Sequence, residues 1–202
     1  MTPDLRLFAP AAARNREPIL DVLRRHLPPR GTVLEVASGS GEHCVCFAEA
    51  CPDLTFQPTD PDPAARDSID AWARTLMLSN VLPALALDAA SDAWPVTAVD
   101  AVLCINLIHI APWRAAEGLV RGAARILRAG GLFYCYGPYR RDGHHTAESN
   151  ATFDRDLHGR NPEWGVRDLE SVSELAVAAG FAAPMIEPMP ANNLSLIFRR
   201  LA

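Results

Sequence analysis

The stretch that most limits what this chain can fold into is Thr32-Val33-Leu34-Glu35-Val36-Ala37-Ser38-Gly39-Ser40-Gly41-Glu42-His43. An apolar, β-branched run enters a small glycine-containing turn, and a helical pattern follows. Buried strand, tight loop and helix N-terminus in that order are how an open α/β sheet holds a nucleotide-like ligand at the carboxyl edge of its strands. Gly39 and Gly41 let the backbone turn sharply and approach a ligand with no Cβ in the way. Glu35 is out of place: a carboxylate inside an apolar strand is costly to bury without a partner. A cationic or hydroxyl-bearing ligand above the loop would be one.

Around this stretch strands and helices alternate. The pattern predicts an irregular approach over 5–16, then a helix from Pro18 with Ile19, Leu20, Leu23 and Leu27 on one face. Strands are predicted at 32–37, 54–59, 84–87, 99–106, 132–137, 181–187 and 194–199. Helices are predicted from Glu42 to Cys51, from Pro63 to about Asn80, from Pro112 to Leu127 and from Asp168 to Ala179. The last two strands have no room for a crossover helix, so strand seven must run antiparallel to its predecessor. The expected fold is α/β: a three-layer, Rossmann-like methyltransferase architecture with a seven-stranded, mostly parallel sheet and helices on both faces. A single domain spans 1–202, with an N-terminal arm, 1–17, and an insert, 138–166. A chain of this length buries about 70% of its unfolded surface.

The composition excludes several chemistries. Nineteen basic against 24 acidic side chains give a net charge of -5, which argues against broad binding to nucleic acid or anionic membrane. There is no lysine, so Schiff-base and phosphate-loop lysine mechanisms are ruled out. Five cysteines without a CxxC pair suggest neither zinc nor a disulfide framework, and no metal is expected. Met1 to Pro10 lacks the pattern of a secretory leader. A cytoplasmic location is expected, with a homodimer an open option.

The ligand follows from what the loop lacks. A G-x-G-x-x-G dinucleotide fingerprint would need glycine or alanine at Cys44. An acid in strand one followed by the glycines, E-x-x-x-G-x-G, instead suits S-adenosylmethionine, with S-adenosylhomocysteine as product. The backbone of Ala37, Gly39, Ser40 and Gly41 would cradle its amino-acid end, and Glu35 would compensate its ammonium. Asp60, with Pro61, ends strand two where a carboxylate can accept both ribose hydroxyls, a helix cap being the plainer alternative. Asp88 and Ala89 end strand three where the adenine amine would sit, and also read as a turn. Asn106 and Leu107 follow strand four, and Asn15 on the arm is counted with the cofactor side.

On these residues the chain resembles the methyltransferase-like protein 26 family, a domain of unknown function, over nearly its whole length. The resemblance runs through Ala13 to Leu20, Leu34 to Gly41, Cys104-Ile105-Asn106 with His109, and Tyr136-Gly137-Pro138-Tyr139. Arg160-Asn161-Pro162-Glu163-Trp164-Gly165 and Met189-Pro190-Ala191-Asn192-Asn193 are its most specific parts. It implies the fold and S-adenosylmethionine; it supplies no substrate.

The loops after strands four and five and the turn before strand seven all reach the ligand edge. The insert is about 28 residues, longer than the ~12–15 of an unstructured loop, so it is expected to bind or cover. Asn150, Arg160, Asn161, Trp164, Asn192 and Asn193 are the expected substrate contacts; a surface excursion with a short helix near 152–157, and a simple turn at 192–193, are the plainer alternatives. His109 is the expected base, an imidazole near pKa ~6.5 being suited to proton transfer at neutral pH; Tyr136 or Tyr139 would orient the acceptor. No Asn/Asp-Pro-Pro-Tyr signature follows strand four, so a small-molecule substrate is expected rather than nucleic acid. A protein methyltransferase and a cofactor-binding sensor without transferase activity are the other readings.

Overall fold

The computed structural model describes residues 4–202. The first three residues of the expected arm 1–17 lie outside the described residues. The elements run α1 (Pro10–His26), β1 (Gly31–Val36), α2 (Glu42–Ala50), β2 (Leu54–Thr59), α3 (Pro63–Thr75), β3 (Val99–Ile105), α4 (Trp113–Ile126) and β4 (Leu127–Arg141). They continue with β5 (His144–His145), α5 (Glu148–Arg160), β6 (Arg167–Asp168), α6 (Leu169–Ala178), β7 (Met185–Met189) and β8 (Asn193–Arg199). The main sheet order is β2-β1-β3-β4-β8-β7, with the two-residue strands β5 and β6 paired to the far end of β4. β1 to β4 pair in parallel, while β8 runs antiparallel to both β4 and β7. The mixed α/β methyltransferase-type sheet and its antiparallel last strand are as expected.

Alternation along the strands divides the core in two. Val102, Cys104, Phe133, Cys135 and Tyr139 face α4 and α6. Leu103, Ile105, Leu132, Tyr134 and Tyr136 face α1 and α2. Small residues let helices close on this frame: a Cβ on Gly118 of α4 would run into the backbone of Ala89 and Ala90.

Several expectations change. The first helix begins at Pro10, not Pro18, and Pro18 lies inside it. Proline supplies the first turn, the strong helix formers Ala11 to Ala13 extend it, and docking on α2 outweighs the ~3 kcal/mol cost of the interior proline. The strand expected at 84–87 is reduced to isolated bridges, Phe56 to Val81 and Thr59 to Leu85. Pro58 has no N–H for an outer ladder, and the Gln57 side chain bonds Pro83 O at 2.9 Å in its place. Finally, the strand expected at 181–187 forms only over Met185–Met189, and the insert carries the helix of the plainer alternative, lengthened, together with a hairpin. β4 runs on to Arg141 and folds back through Asp142-Gly143, both at positive φ, into β5; the 13-residue α5 follows.

Candidate active site

At the carboxyl edge of β1 the chain leaves the sheet through Ala37, whose φ of 58° is strained for a residue with a Cβ. The two glycines then divide the work. A Cβ on Gly41 (φ 90°) would stand 2.8 Å from the Ile69 Cα, so this glycine lets the loop pack on α3. A Cβ on Gly39 (φ 57°) would meet nothing within 4 Å, so its face of the backbone is open to a ligand. The Gly39 N–H donates to Asp60 Oδ2 at 3.0 Å, and the Asp62 N–H donates to Asp60 Oδ1 at 2.9 Å, fixing the acid at the end of β2 against the loop. Burial raises the Asp60 pKa, and these two bonds pull it back. Asp62, not Asp60, caps α3.

Glu35 lies in β1 directly beneath, 2% exposed. Its Oε2 is buried with no hydrogen-bond partner. Burial raises its pKa to about 7, Ser38 opposes that, and the Asp60 charge adds to it. A buried, half-satisfied carboxylate in this position suits a positively charged or hydrogen-bonding partner.

A cavity of about 300 Å³ continues from the loop. Ala37, Pro61, Asp88, Ala89 and Leu107 line it, joined by Trp164 and Arg114. Five of the expected cofactor residues therefore share one wall system. Asp88 also accepts the Ala90 N–H at 2.9 Å, so the turn reading and the lining reading hold together. Trp164, expected on the substrate side, belongs to this cavity. A second cavity, about 290 Å³ beside the end of α3, is lined by Asp70, Arg74 and apolar neighbours and shares none of these residues.

Asn106, at φ 63°, turns the chain out of β3, its N–H bonded to Tyr136 O at 2.8 Å. The expected catalytic trio does not assemble. His109 and Tyr139 are wholly buried on the α4 side of the sheet, ring centroids 5.0 Å apart, whereas Tyr136 faces α1 and α2. Burial, then the Arg167 charge, depresses the His109 pKa to about 3. An imidazole sealed from a ligand and that weakly basic is poorly suited to be the base, and Tyr139 has no route to an acceptor.

The expected substrate residues have mostly structural partners. Asn150 donates to Thr146 Oγ1 at 3.1 Å and to Asn192 O at 3.0 Å; Asn192 Nδ2 donates to Ser149 Oγ at 3.2 Å. Together they fasten α5 to the turn before β8. Asn161 Oδ1 accepts the Glu163 N–H at 2.9 Å, and the Arg160 guanidinium lies 5.1 Å from the Trp164 ring centroid. Of these residues Asn193 bears on the Tyr136 phenol, as does Asn15 of α1.

Two residues with larger parts were not anticipated. Glu42, 5% exposed, accepts from Ala9 N at 2.5 Å and from Ser40 Oγ at 3.0 Å, tying the arm to the glycine loop. His43 holds Asn15, its Nε2 2.7 Å from Asn15 Oδ1. The available signal was their place two residues or fewer after Gly41, in the first turn of a helix aimed at the ligand.

A family model described as a protein of unknown function, DUF938, matches residues 6–200. The chain is a DUF938 protein. Solved structures share its fold. An O-methyltransferase family protein from Burkholderia thailandensis superposes with a TM-score of 0.81 at 21% identity, over 95% of the DUF938 chain and 58% of its own. Human N-acetylserotonin methyltransferase in complex with SAM gives 0.76 at 13% identity, over 95% and 53%. The YcgJ protein from Bacillus subtilis gives 0.70 at 13%, over 94% and 99%. The DUF938 chain thus spans little more than half the length of the first two. Among its described residues no helix is long and apolar enough to cross a membrane.

Proposed function

We propose that this DUF938 protein is an S-adenosylmethionine-dependent methyltransferase that methylates an oxygen or nitrogen of a small molecule. The observation that carries the reading is the orphaned Glu35 Oε2, buried in the strand that runs into a glycine loop with an open face at Gly39, next to Ala37 on the wall of the 300 Å³ cavity. The residues fit the cofactor's parts. Glu35 matches an ammonium, the Gly39 backbone a chain passing close by, and the Ala37, Leu107 and Trp164 walls an adenine. Asp60 and Asp88 offer acceptors for hydroxyl and amine. When bound, the cofactor supplies an electrophilic methyl group on a sulfonium. The chain's own work is to orient the acceptor in line and to exclude water. Methyltransferases among the solved neighbours, one of them in complex with SAM, support this reading, as does the likeness to methyltransferase-like protein 26; a single domain acting in the cytoplasm on a metabolite-sized partner is part of it.

Titration calorimetry with S-adenosylhomocysteine tests the premise. Saturable heat is expected, weakened at least tenfold, ~1.4 kcal/mol, by Glu35→Gln; absence of binding would sink the proposal. Label from methyl-labelled cofactor should then enter the metabolite-sized fraction of a cell extract, and label confined to macromolecules would reject the small-molecule assignment.

A further inference from the structure

We propose that Asn15, Tyr136 and Asn193 form the site for the methyl acceptor, and that it takes a small molecule presenting an anionic oxygen, a carboxylate or a phenolate. This deepens the methyltransferase reading and rests on it.

The site is made by topology. Tyr136 ends β4 opposite Ser195 of β8, and Pro138 two residues on is paired with Asn193, so the start of β8 stands beside the phenol. α1 packs on the same face of the sheet and contributes Asn15; α2 contributes His43 from its first turn. Four segments distant in sequence meet one strand beyond Asn106, next to the glycine loop.

Each group there has been turned into a donor. The His43 ring is neutral, because burial and then the Arg16 charge hold its pKa down at about 4. Its Nε2–H is the hydrogen available to Asn15 Oδ1 at 2.7 Å, which commits the amide oxygen and turns Nδ2 away from α2. Tyr136 gives an independent sign of where the amides point. Burial raises its pKa, whereas Asn15 and Asn193 each lower it. A side chain that favours the phenolate offers an N–H to a negative oxygen, and the same N–H serves any oxyanion placed there. Each Nδ2 carries two hydrogens: Asn15 keeps one beyond that offered to Tyr136, and Asn193 places its other on Pro190 O at 3.1 Å. Two amides thus meet at a phenol whose own O–H has no side-chain acceptor among the described residues.

Arg16 adds positive charge nearby. Its Nε is buried without a hydrogen bond, and its ion pair with the exposed Glu17 is long, 3.9 Å. An oxyanion answers the amides and the phenol, with charge-assisted bonds stronger than neutral ones, and the positive charge beside His43 favours it. It also removes the need for a base: the acceptor arrives with its lone pair bare, and neither His43 nor His109 has the basicity to strip a proton from a hydroxyl.

The test is a titration of the ¹⁵N-labelled chain, with S-adenosylhomocysteine present, by benzoate, by 4-nitrophenolate and by neutral benzamide. At least one oxyanion should shift the side-chain amide signals of Asn15 and Asn193 saturably, and benzamide should bind at least tenfold more weakly. Benzoate alone would identify a carboxylate site, 4-nitrophenolate alone a phenolate site. Tyr136→Phe should weaken the oxyanion about tenfold while leaving the affinity for S-adenosylhomocysteine unchanged; Asn193→Ala, at a half-buried turn, gives the same reading if the first variant does not fold. Equal binding of benzamide, no oxyanion binding, shifts elsewhere in the molecule, or indifference to the variants would each overturn the proposal. Failure of S-adenosylhomocysteine to bind would instead fault the cofactor reading, which the calorimetry measures separately.

Discussion

At the scale of single residues, Glu35 has the most measurable consequence. Its folded pKa of about 7 stands above its ordinary 4.5. Below pH 4.5 it is protonated in both states and costs nothing. As pH rises towards 7 the unfolded chain releases the proton and the folded chain does not, so stability falls, by roughly 3 kcal/mol across the window. His43 and His109 act with the opposite sign. Both are held neutral by burial, so what they contribute is complete above pH 6.5 and is lost as pH falls. The difference between wild type and Glu35→Gln isolates the carboxylate: urea unfolding should show the variant gaining on wild type between pH 5 and pH 7.5, and parallel curves would show that Glu35 is satisfied. The two glycines predict a second contrast. Gly41→Ala sets a Cβ against the Ile69 backbone and should cost roughly 3 kcal/mol or more. Gly39→Ala adds only the left-handed strain of about 1 kcal/mol, yet its methyl projects into the open face. It should leave the fold nearly intact and abolish cofactor binding, which unfolding and calorimetry on one preparation will show.

Elements were legible where one period ruled, and obscure where a second constraint overrode it. α4 could be read because its apolar face recurs through Leu119, Ala123 and Ile126, and β3 because it is apolar on both sides. Pro18 misled because proline opens helices more often than it sits inside them. The strand at 84–87 misled because its partner carries Pro58. The hairpin in the insert is marked by Asp142-Gly143, a type I′ pair, but the polar residues around it hide the alternation that would frame it. The candidate cofactor residues were legible because one motif strings them along successive strand ends. Trp164 and His43 were not, since each acquires its neighbours only through tertiary packing. Arg167 shows how strongly that packing is tied: its guanidinium donates to Ile108 O at 3.1 Å, Ala111 O at 2.8 Å and Glu163 O at 2.7 Å, stitching the insert to the turn that bears His109. Arg167→Ala orphans three carbonyls and should cost about 2–3 kcal/mol. Faster amide exchange confined to 107–111 and 161–166 is the expected signature, and protection lost evenly over the chain would contradict it.

On the scale of the molecule, the candidate cofactor edge is flanked by the internal insert and by the N-terminal arm. The insert brings Trp164 to the cavity, and the arm crosses α2 and α3 from the other side. Leu7 N donates to Ser68 Oγ at 2.7 Å, Trp72 Nε1 donates to Leu7 O at 3.0 Å, and Phe8 packs edge-on to Trp72 at 5.1 Å. Ser68 in turn donates to Ser40 O at 2.7 Å, and Glu42 joins Ala9 to Ser40, so the arm grips the residue between the two glycines from both sides. Little apolar area is at stake, for Leu5, Leu7 and Phe8 are largely exposed. Deleting residues 1–9 should therefore leave the unfolding transition of the core within about 1 kcal/mol. Its cost should appear in binding: a loop that must be ordered by the ligand takes the entropy of ordering out of the affinity. The truncated chain is expected to hold S-adenosylhomocysteine several-fold more weakly, with Glu42→Ala reproducing much of the loss in the full-length chain. An affinity unchanged by both would show that the glycine loop is set by Asp60 and Ile69 alone, with the arm a bystander.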